Sequence, residues 1–167
     1  MNIQRNQVGV GLIEVLVALL VLAIGVLGFV ALQYRAVEAS SESESRIQAI
    51  NVARDLAEKI RINRTALNTY ATVVARNNIT ALPTPNCFTQ ECTPVQKATF
   101  DASWSKLNAQ RLGMTINMMT CPGVTNGRRC VYVAWGETSA TDADGLNNCT
   151  TSGAYRNEST CIVLETY

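Results

Sequence analysis

The sequence predicts an α+β fold in which the first half of a long amino-terminal helix spans a membrane and the second half packs on a small antiparallel sheet. Three observations carry that prediction. Val15 to Leu32 is an unbroken run of eighteen residues with no charged or polar side chain. Behind it, apolar residues recur every three to four positions as far as Ile60. Beyond Gly113, short β-branched stretches are separated by turn residues.

The apolar run sits at the lower limit of what crosses the hydrocarbon core as a helix. A secretory signal peptide has a shorter apolar core followed by a small-residue cleavage site. This run continues instead into Gln33, Tyr34 and Arg35. A core helix of so small a domain would carry a polar face. The span is therefore placed at residues 10–33, and Arg5 ahead of it keeps the amino terminus cytoplasmic. Glu14 stands at the cytoplasmic lip. A carboxylate at the bilayer centre costs on the order of 3 kcal/mol, and less at the lip, but it still favours a partner. Gly25 and Gly28 each weaken the helix by about 1 kcal/mol relative to alanine. They suit either close packing between membrane helices or a local melting site.

Residues 34–64 read as the amphipathic second half of the same helix. Ile47, Ile50, Ala53, Leu56 and Ile60 form the apolar stripe, and Arg46, Arg54, Asp55, Glu58, Lys59 and Arg61 cover the other faces. The first proline is Pro83, so the helix can run to about Asn63. Residues 38–46, EASSESESR, are a solvated face on which Glu42 and Arg46 have i,i+4 spacing.

Residues 65–167 form the head. Residues 65–98 lack a clear period after Val74 and read as a loop-rich connection holding three of the four prolines and the close pair Cys87 and Cys92. Asp101 to Gly113 reads as a short helix with Phe100, Trp104, Leu107 and Arg111 on one face and Gly113 as the stop. Met114 to Cys121 precedes Asn126-Gly127, a hairpin-turn pair. Arg129 to Thr138 alternates with Val131, Val133 and Trp135 on one side, a half-buried strand. Thr160 to Tyr167 is a further strand. These give a three- or four-stranded antiparallel sheet.

The chain has six cysteines and no histidine among 167 residues, with a net charge of +1. The even cysteine count in loop-rich surroundings points to disulfides and an oxidising compartment. Of the 15 possible pairings, the sequence-local one is favoured: Cys87 with Cys92, Cys121 with Cys130, Cys149 with Cys161. A two-residue turn at Asn126-Gly127 would set Cys121 opposite Tyr132, so the second bridge needs a bulge or a looser loop. Neither a CxxC pair nor histidine supports a metal site. The sequence offers no nucleophile–base pair, phosphate loop or carboxylate dyad, so neither an enzyme nor a cofactor is expected. Arg128 and Arg129 flank the turn without an aromatic platform, so nucleic acid is not an expected partner.

Residues 9 to 15, Gly-Val-Gly-Leu-Ile-Glu-Val, resemble the prepilin peptidase recognition site. The resemblance implies a type IV pilin fold, a leader at residues 1–9, cleavage between Gly9 and Val10, and methylation of the new Val10 amine. Val10 departs from the phenylalanine usual at that position. The implied role of Glu14 is to meet the Val10 amine of a neighbouring subunit and set its register. Paired charges are tolerable in hydrocarbon. Asn51 to Arg64, NVARDLAEKIRINR, is similar to the juxtamembrane stretch of PilV-type minor pilins. That implies a minor pilin of the type IV pilus, acting in an initiation or tip complex and hence in twitching motility. Its implied partners are other minor pilins and the major pilin, through the amino-terminal helix, together with the prepilin peptidase. The implied location is the inner membrane with a periplasmic head, then the surface pilus. Two other readings share the leader and helix: a type II secretion pseudopilin, and a pilin whose head is a DNA receptor or adhesin.

Overall fold

The computed structural model describes residues 11–77 and 79–166. The proposed scissile pair Gly9 and Val10 lies outside them. The chain divides into two compact units, Met1–Glu42 and Ser43–Tyr167. Helix α1, Leu12–Ile62, supplies the described secondary structure of the first unit and opens the second.

In the second unit, Ala49, Val52, Ala53, Leu56 and Ile60 form the buried stripe of α1. The expected stripe was right from Ala53 onward and rotated before it. Ile47 is 60% exposed and Ile50 is half-buried. Stepping back four residues from Leu56 and Ala53 leads to Val52 and Ala49, and Ala49 lies about 100° round the helix from Ile50. The weakly hydrophobic Ala49 concealed that course.

After a single 3-10 turn, Arg64–Ala66, comes α2, Leu67–Val74, which buries Tyr70, Val73 and Val74. The segment 65–98, expected to be a loop-rich connection without a clear period after Val74, thus holds a helix that ends at Val74. It also holds the first part of α3, Pro94–Arg111. Helix α3 begins seven residues before the expected Asp101, because Thr93 and Gln96 form a reciprocal capping box and Pro94 occupies the first turn. Its buried face differs too. Phe100 is buried, but Trp104 and Leu107 are half-buried and Arg111 is exposed. Apart from Phe100, the fully buried positions are small: Ala98, Ala102, Ser105 and Ala109.

That small stripe lets α3 sit among three other elements and hydrogen-bond to each. Ser105 Oγ donates to Asp55 Oδ2 of α1 (3.3 Å) and accepts from Lys59 Nζ (3.4 Å). Lys106 Nζ donates to the Val74 carbonyl at the end of α2 (2.6 Å), with the Ile116 carbonyl at 3.5 Å. Asp101, buried, accepts from Lys97 Nζ at 2.8 Å. The Tyr70 hydroxyl proton is shared between Asp101 Oδ2 and the Lys59 carbonyl, each at 3.2 Å.

The main sheet has strands β1 (Met114–Thr120), β2 (Arg129–Trp135) and β6 (Cys161–Thr166) in the order β1-β2-β6, antiparallel throughout. Strand β2 is central and buried on both faces, not half-buried as expected. Val131, Val133 and Trp135 join Met114, Ile116, Met118 and the helices in one core. Cys130, Tyr132 and Ala134 join a second core with Ala140 and Cys149. The second core lies under an unexpected sheet of β3 (Ser139–Asp142), β4 (Asn148–Thr151) and β5 (Ala154–Tyr155). In it β3 and β4 are parallel, while β4 and β5 are antiparallel. Strand β2 stops at Trp135, short of Thr138, because Gly136 turns the chain at φ +62°.

All six cysteines are paired: Cys87–Cys92, Cys121–Cys130 and Cys149–Cys161. The hairpin register explains the second bridge. Thr120 faces Arg129, and the Cys121 N–H donates to the Arg128 carbonyl. Asn126-Gly127 therefore lies inside a longer loop, and Cys121 falls diagonally across from Cys130 with their Cα atoms 5.0 Å apart. The third bridge ties β4 to β6 and so joins the two sheets.

Two buried tyrosine and carboxylate groups give opposite expectations. Asp101→Ala should cost about 2 kcal/mol, because it strips Lys97 and Tyr70 of their shared acceptor. Tyr132→Phe should be neutral or slightly stabilising, since the Tyr132 hydroxyl is buried without a hydrogen bond. Thermal unfolding followed by near-ultraviolet circular dichroism checks both.

The pH dependence follows from Lys106 and Tyr70. Burial lowers the Lys106 pKa below its usual 10.5. In the interval up to 10.5 the unfolded chain binds more protons, so stability rises with pH. Burial, then the Asp101 charge, raises the Tyr70 pKa above its usual 10.0. Above pH 10 the unfolded chain loses a proton that the folded chain keeps, so stability falls. Stability should peak near pH 10, and Lys106→Met should remove the rising limb. With no free thiol to drive disulfide exchange, the alkaline titration can be followed by the same unfolding signal.

Candidate membrane and assembly segment

The first unit presents residues 12–42 as helix with every side chain exposed. Leu12, Leu22 and Leu32 are 80%, 63% and 72% exposed, so apolarity runs right round the cylinder. A soluble helix shows one apolar stripe. This one is long and apolar enough to cross a membrane.

Glu14 lies in the first turn of α1, where its backbone N–H donates to the Gly11 carbonyl at 2.9 Å. The positive end of the helix dipole favours an acid there. That contribution is small, about 0.3–1 kcal/mol in exposed positions, so it does not cover the cost of an unpaired carboxylate in hydrocarbon. Among the described residues the Glu14 carboxylate has no hydrogen bond or ion pair. Its surroundings are Val15, Ala18, Leu19 and Leu22. A cation that neutralises it has to come from outside these residues. The Val10 amine, the candidate partner, lies outside the described residues.

Gly25 and Gly28 are helical, and a Cβ built on either meets nothing within 4 Å. No packing inside the chain requires glycine at these positions. The two arginines that flank the hairpin turn, Arg128 and Arg129, are both engaged. Arg128 pairs with Glu165 of β6, and Arg129 donates to Thr120 Oγ1 at 3.3 Å. The region that sequence reasoning missed is the groove around the second sheet. Its signal was present only as scattered turn residues, Gly136, Gly145 and Gly153, between strands of two to four residues.

Gly25→Ala and Gly28→Ala should leave the isolated chain's helix content unchanged or raised, by about 1 kcal/mol of helix stability per site. Any defect should appear in association. Far-ultraviolet circular dichroism in detergent, beside the yield of assembled filaments, separates the two.

A family model, Tt1218-like, described as type IV pilin Tt1218, matches residues 31–103. No curated protein and no solved structure matches the chain. The matched span covers the end of the apolar run, the rest of α1, α2, the Cys87–Cys92 loop and the first half of α3. Over those residues the chain is similar to the type IV pilins, and the long apolar helix with a small α+β head is consistent with their fold.

Proposed function

We propose that this chain is a PilV-like minor pilin that helps to start the filament as part of a tip complex, and so serves twitching motility. The observation that carries the reading is Glu14, a carboxylate without a partner among the described residues, one turn into a helix that is apolar on every face. Such a segment is suited to lateral association in a membrane or filament core, with one charge left for a neighbour to satisfy. The minor-pilin assignment is supported by the resemblance at residues 51–64. In the structure this stretch is the seam on which the head is built: Val52, Ala53, Leu56 and Ile60 face the core, while Asp55–Lys59 and Glu58–Arg61 pair outside.

In this reading residues 1–9 are a leader removed by the prepilin peptidase, and Val10 becomes the methylated terminus. Residues 10–33 hold the chain in the inner membrane, residues 34–64 carry the head, and residues 65–167 are the periplasmic head itself. On assembly the chain enters the surface pilus beside the major pilin and other minor pilins. The pilins are structural proteins, and no catalytic role is assigned.

The test is a deletion strain complemented with wild type or Glu14→Ala. Deletion should leave few filaments in sheared fractions and by electron microscopy, with twitching reduced. Wild type should restore both and yield an intact mass starting at methylated Val10. Glu14→Ala should be trimmed and membrane-inserted, because the span has only become more apolar, yet should not restore filaments. Wild-type filament numbers in the deletion strain would overturn the initiator role.

A further inference from the structure

We infer that the groove between the β2–β3 turn and the β5–β6 connection is a binding site for a neutral saccharide. It is an open groove of about 840 Å³ in the second unit, and Glu137, Leu146, Asn147, Tyr155, Asn157 and Glu158 supply its outward-facing side chains.

The walls are rigid for so exposed a feature. The Cys149–Cys161 disulfide joins β4 to β6. The Thr160 N–H donates to Thr138 Oγ1 at 3.0 Å, and the Thr160 and Thr138 hydroxyl oxygens are 3.0 Å apart. The Ser139 N–H donates to the Asn147 carbonyl at 2.6 Å. Asn148 Nδ2 donates to the Asp144 carbonyl at 3.1 Å. Preorganised walls spare a ligand the cost of ordering them.

Within that frame the groove offers two kinds of surface. Tyr155 is 55% exposed, and its hydroxyl oxygen is fixed by accepting the Val163 N–H at 2.9 Å. Its ring is thus held in place while its face remains open. Leu146, 84% exposed, adds apolar area. Among the described residues the side chains of Glu137, Glu158, Asn147 and Asn157 have no hydrogen-bond or ion-pair partner. They present free acceptors and amide donors. A pyranose has the complementary chemistry. Its C–H face lies on an aromatic ring, and its hydroxyl rim both donates to carboxylates and exchanges bonds with amides.

Other ligand classes fit less well. Among the described residues no three His, Cys, Asp or Glu side chains group to hold a metal ion. A phosphate would meet two free carboxylates, and the one guanidinium, Arg156, already donates to Thr151 Oγ1 at 2.9 Å. An extended peptide would seek the free edge of β6, but Tyr155 occupies the outward Val163 N–H there.

The test uses the full chain in a zwitterionic detergent without a sugar headgroup. The probes are methyl glycosides of glucose, galactose, mannose and N-acetylglucosamine and an octalysine peptide, followed by saturation-transfer NMR and by titration. At least one glycoside should bind saturably, with a dissociation constant on the order of 1 mM, as suits an open groove. Tyr155→Ala and the double variant Glu137→Gln/Glu158→Gln should each weaken it at least ~10-fold. Tyr155→Phe should retain most of the binding, since the ring remains. The exposed carboxylates have no internal partner, so the double variant should melt with the wild type, which separates lost binding from lost fold. The inference is overturned if no glycoside binds, if binding survives the double variant, or if octalysine binds through the same carboxylates and no glycoside displaces it.

Discussion

The apolar cylinder of the first unit must be covered by something other than its own chain. Fifteen large apolar side chains between Leu12 and Leu32 are about half exposed or more. At about 1.5–3 kcal/mol for each side chain fully buried, the uncovered surface represents tens of kcal/mol. No head of this size supplies a comparable reserve, because folded domains retain only about 5–15 kcal/mol. An apolar environment outside the described residues has to make the contact. The same comparison decides how Glu14 is tolerated. Its cost of on the order of 3 kcal/mol is small beside the gain from covering the helix, so it does not prevent insertion. It is large enough to favour a cation beside it, since 1.4 kcal/mol is a factor of ten in an equilibrium.

The second unit solves a different problem with the continuation of the same helix. Here α1 offers one stripe, and the head closes on it in layers. Helices α2 and α3 and one face of β2 form the first core, and the other face of β2 with the second sheet forms the next. A central strand buried on both sides has no tolerance for a register slip. The two bridges Cys121–Cys130 and Cys149–Cys161 fasten its neighbours on either side of it. The polar contacts of Asp101, Ser105 and Lys106 act similarly on α3. A helix whose buried side chains, Phe100 apart, are mostly alanine and serine gains little from apolar area. Its position is set by hydrogen bonds to α1, α2 and β1.

What was legible beforehand follows from which signals are local. The apolar run, the end of α1 near Asn63, and the strands at Met114, Arg129 and Cys161 each rest on composition within one segment. The misreadings needed information from elsewhere in the chain. Cys130, Tyr132 and Ala134 looked like the outer positions of an alternating strand, yet all three can be buried, and only the unforeseen second sheet buries them. Strands of two to four residues such as β5 carry too few positions for a period to show. Ala98, Ala102 and Ala109 were passed over for the larger Trp104 and Leu107 because hydrophobicity was weighed and close approach was not. The Thr93-Pro94-Val95-Gln96 capping signal was local and readable, and its omission cost the first seven residues of α3. Of the candidate site, Glu14 stands out in the sequence as the charge at the head of the apolar run. The groove does not, since its side chains are drawn from turns scattered between Glu137 and Glu158.

The two units therefore respond to substitution in different ways. In the first, no side chain among the described residues is buried, so a change at Glu14, Gly25 or Gly28 leaves the chain's own described packing alone. In the second, most changes act on folding before they act on any partner, because even polar residues such as Asp101 and Lys106 hold the layers together. The exceptions are the rim side chains Glu137 and Glu158, which make no internal contact through their carboxylates. Polar groups left unpaired on an otherwise well-satisfied head lose nothing by facing water and gain only when a ligand meets them. That places the adaptable surface of the head in the second-sheet turns and the fixed surface in the α1–α3 layer. The uncovered apolar surface of the described residues lies in the helix that precedes both.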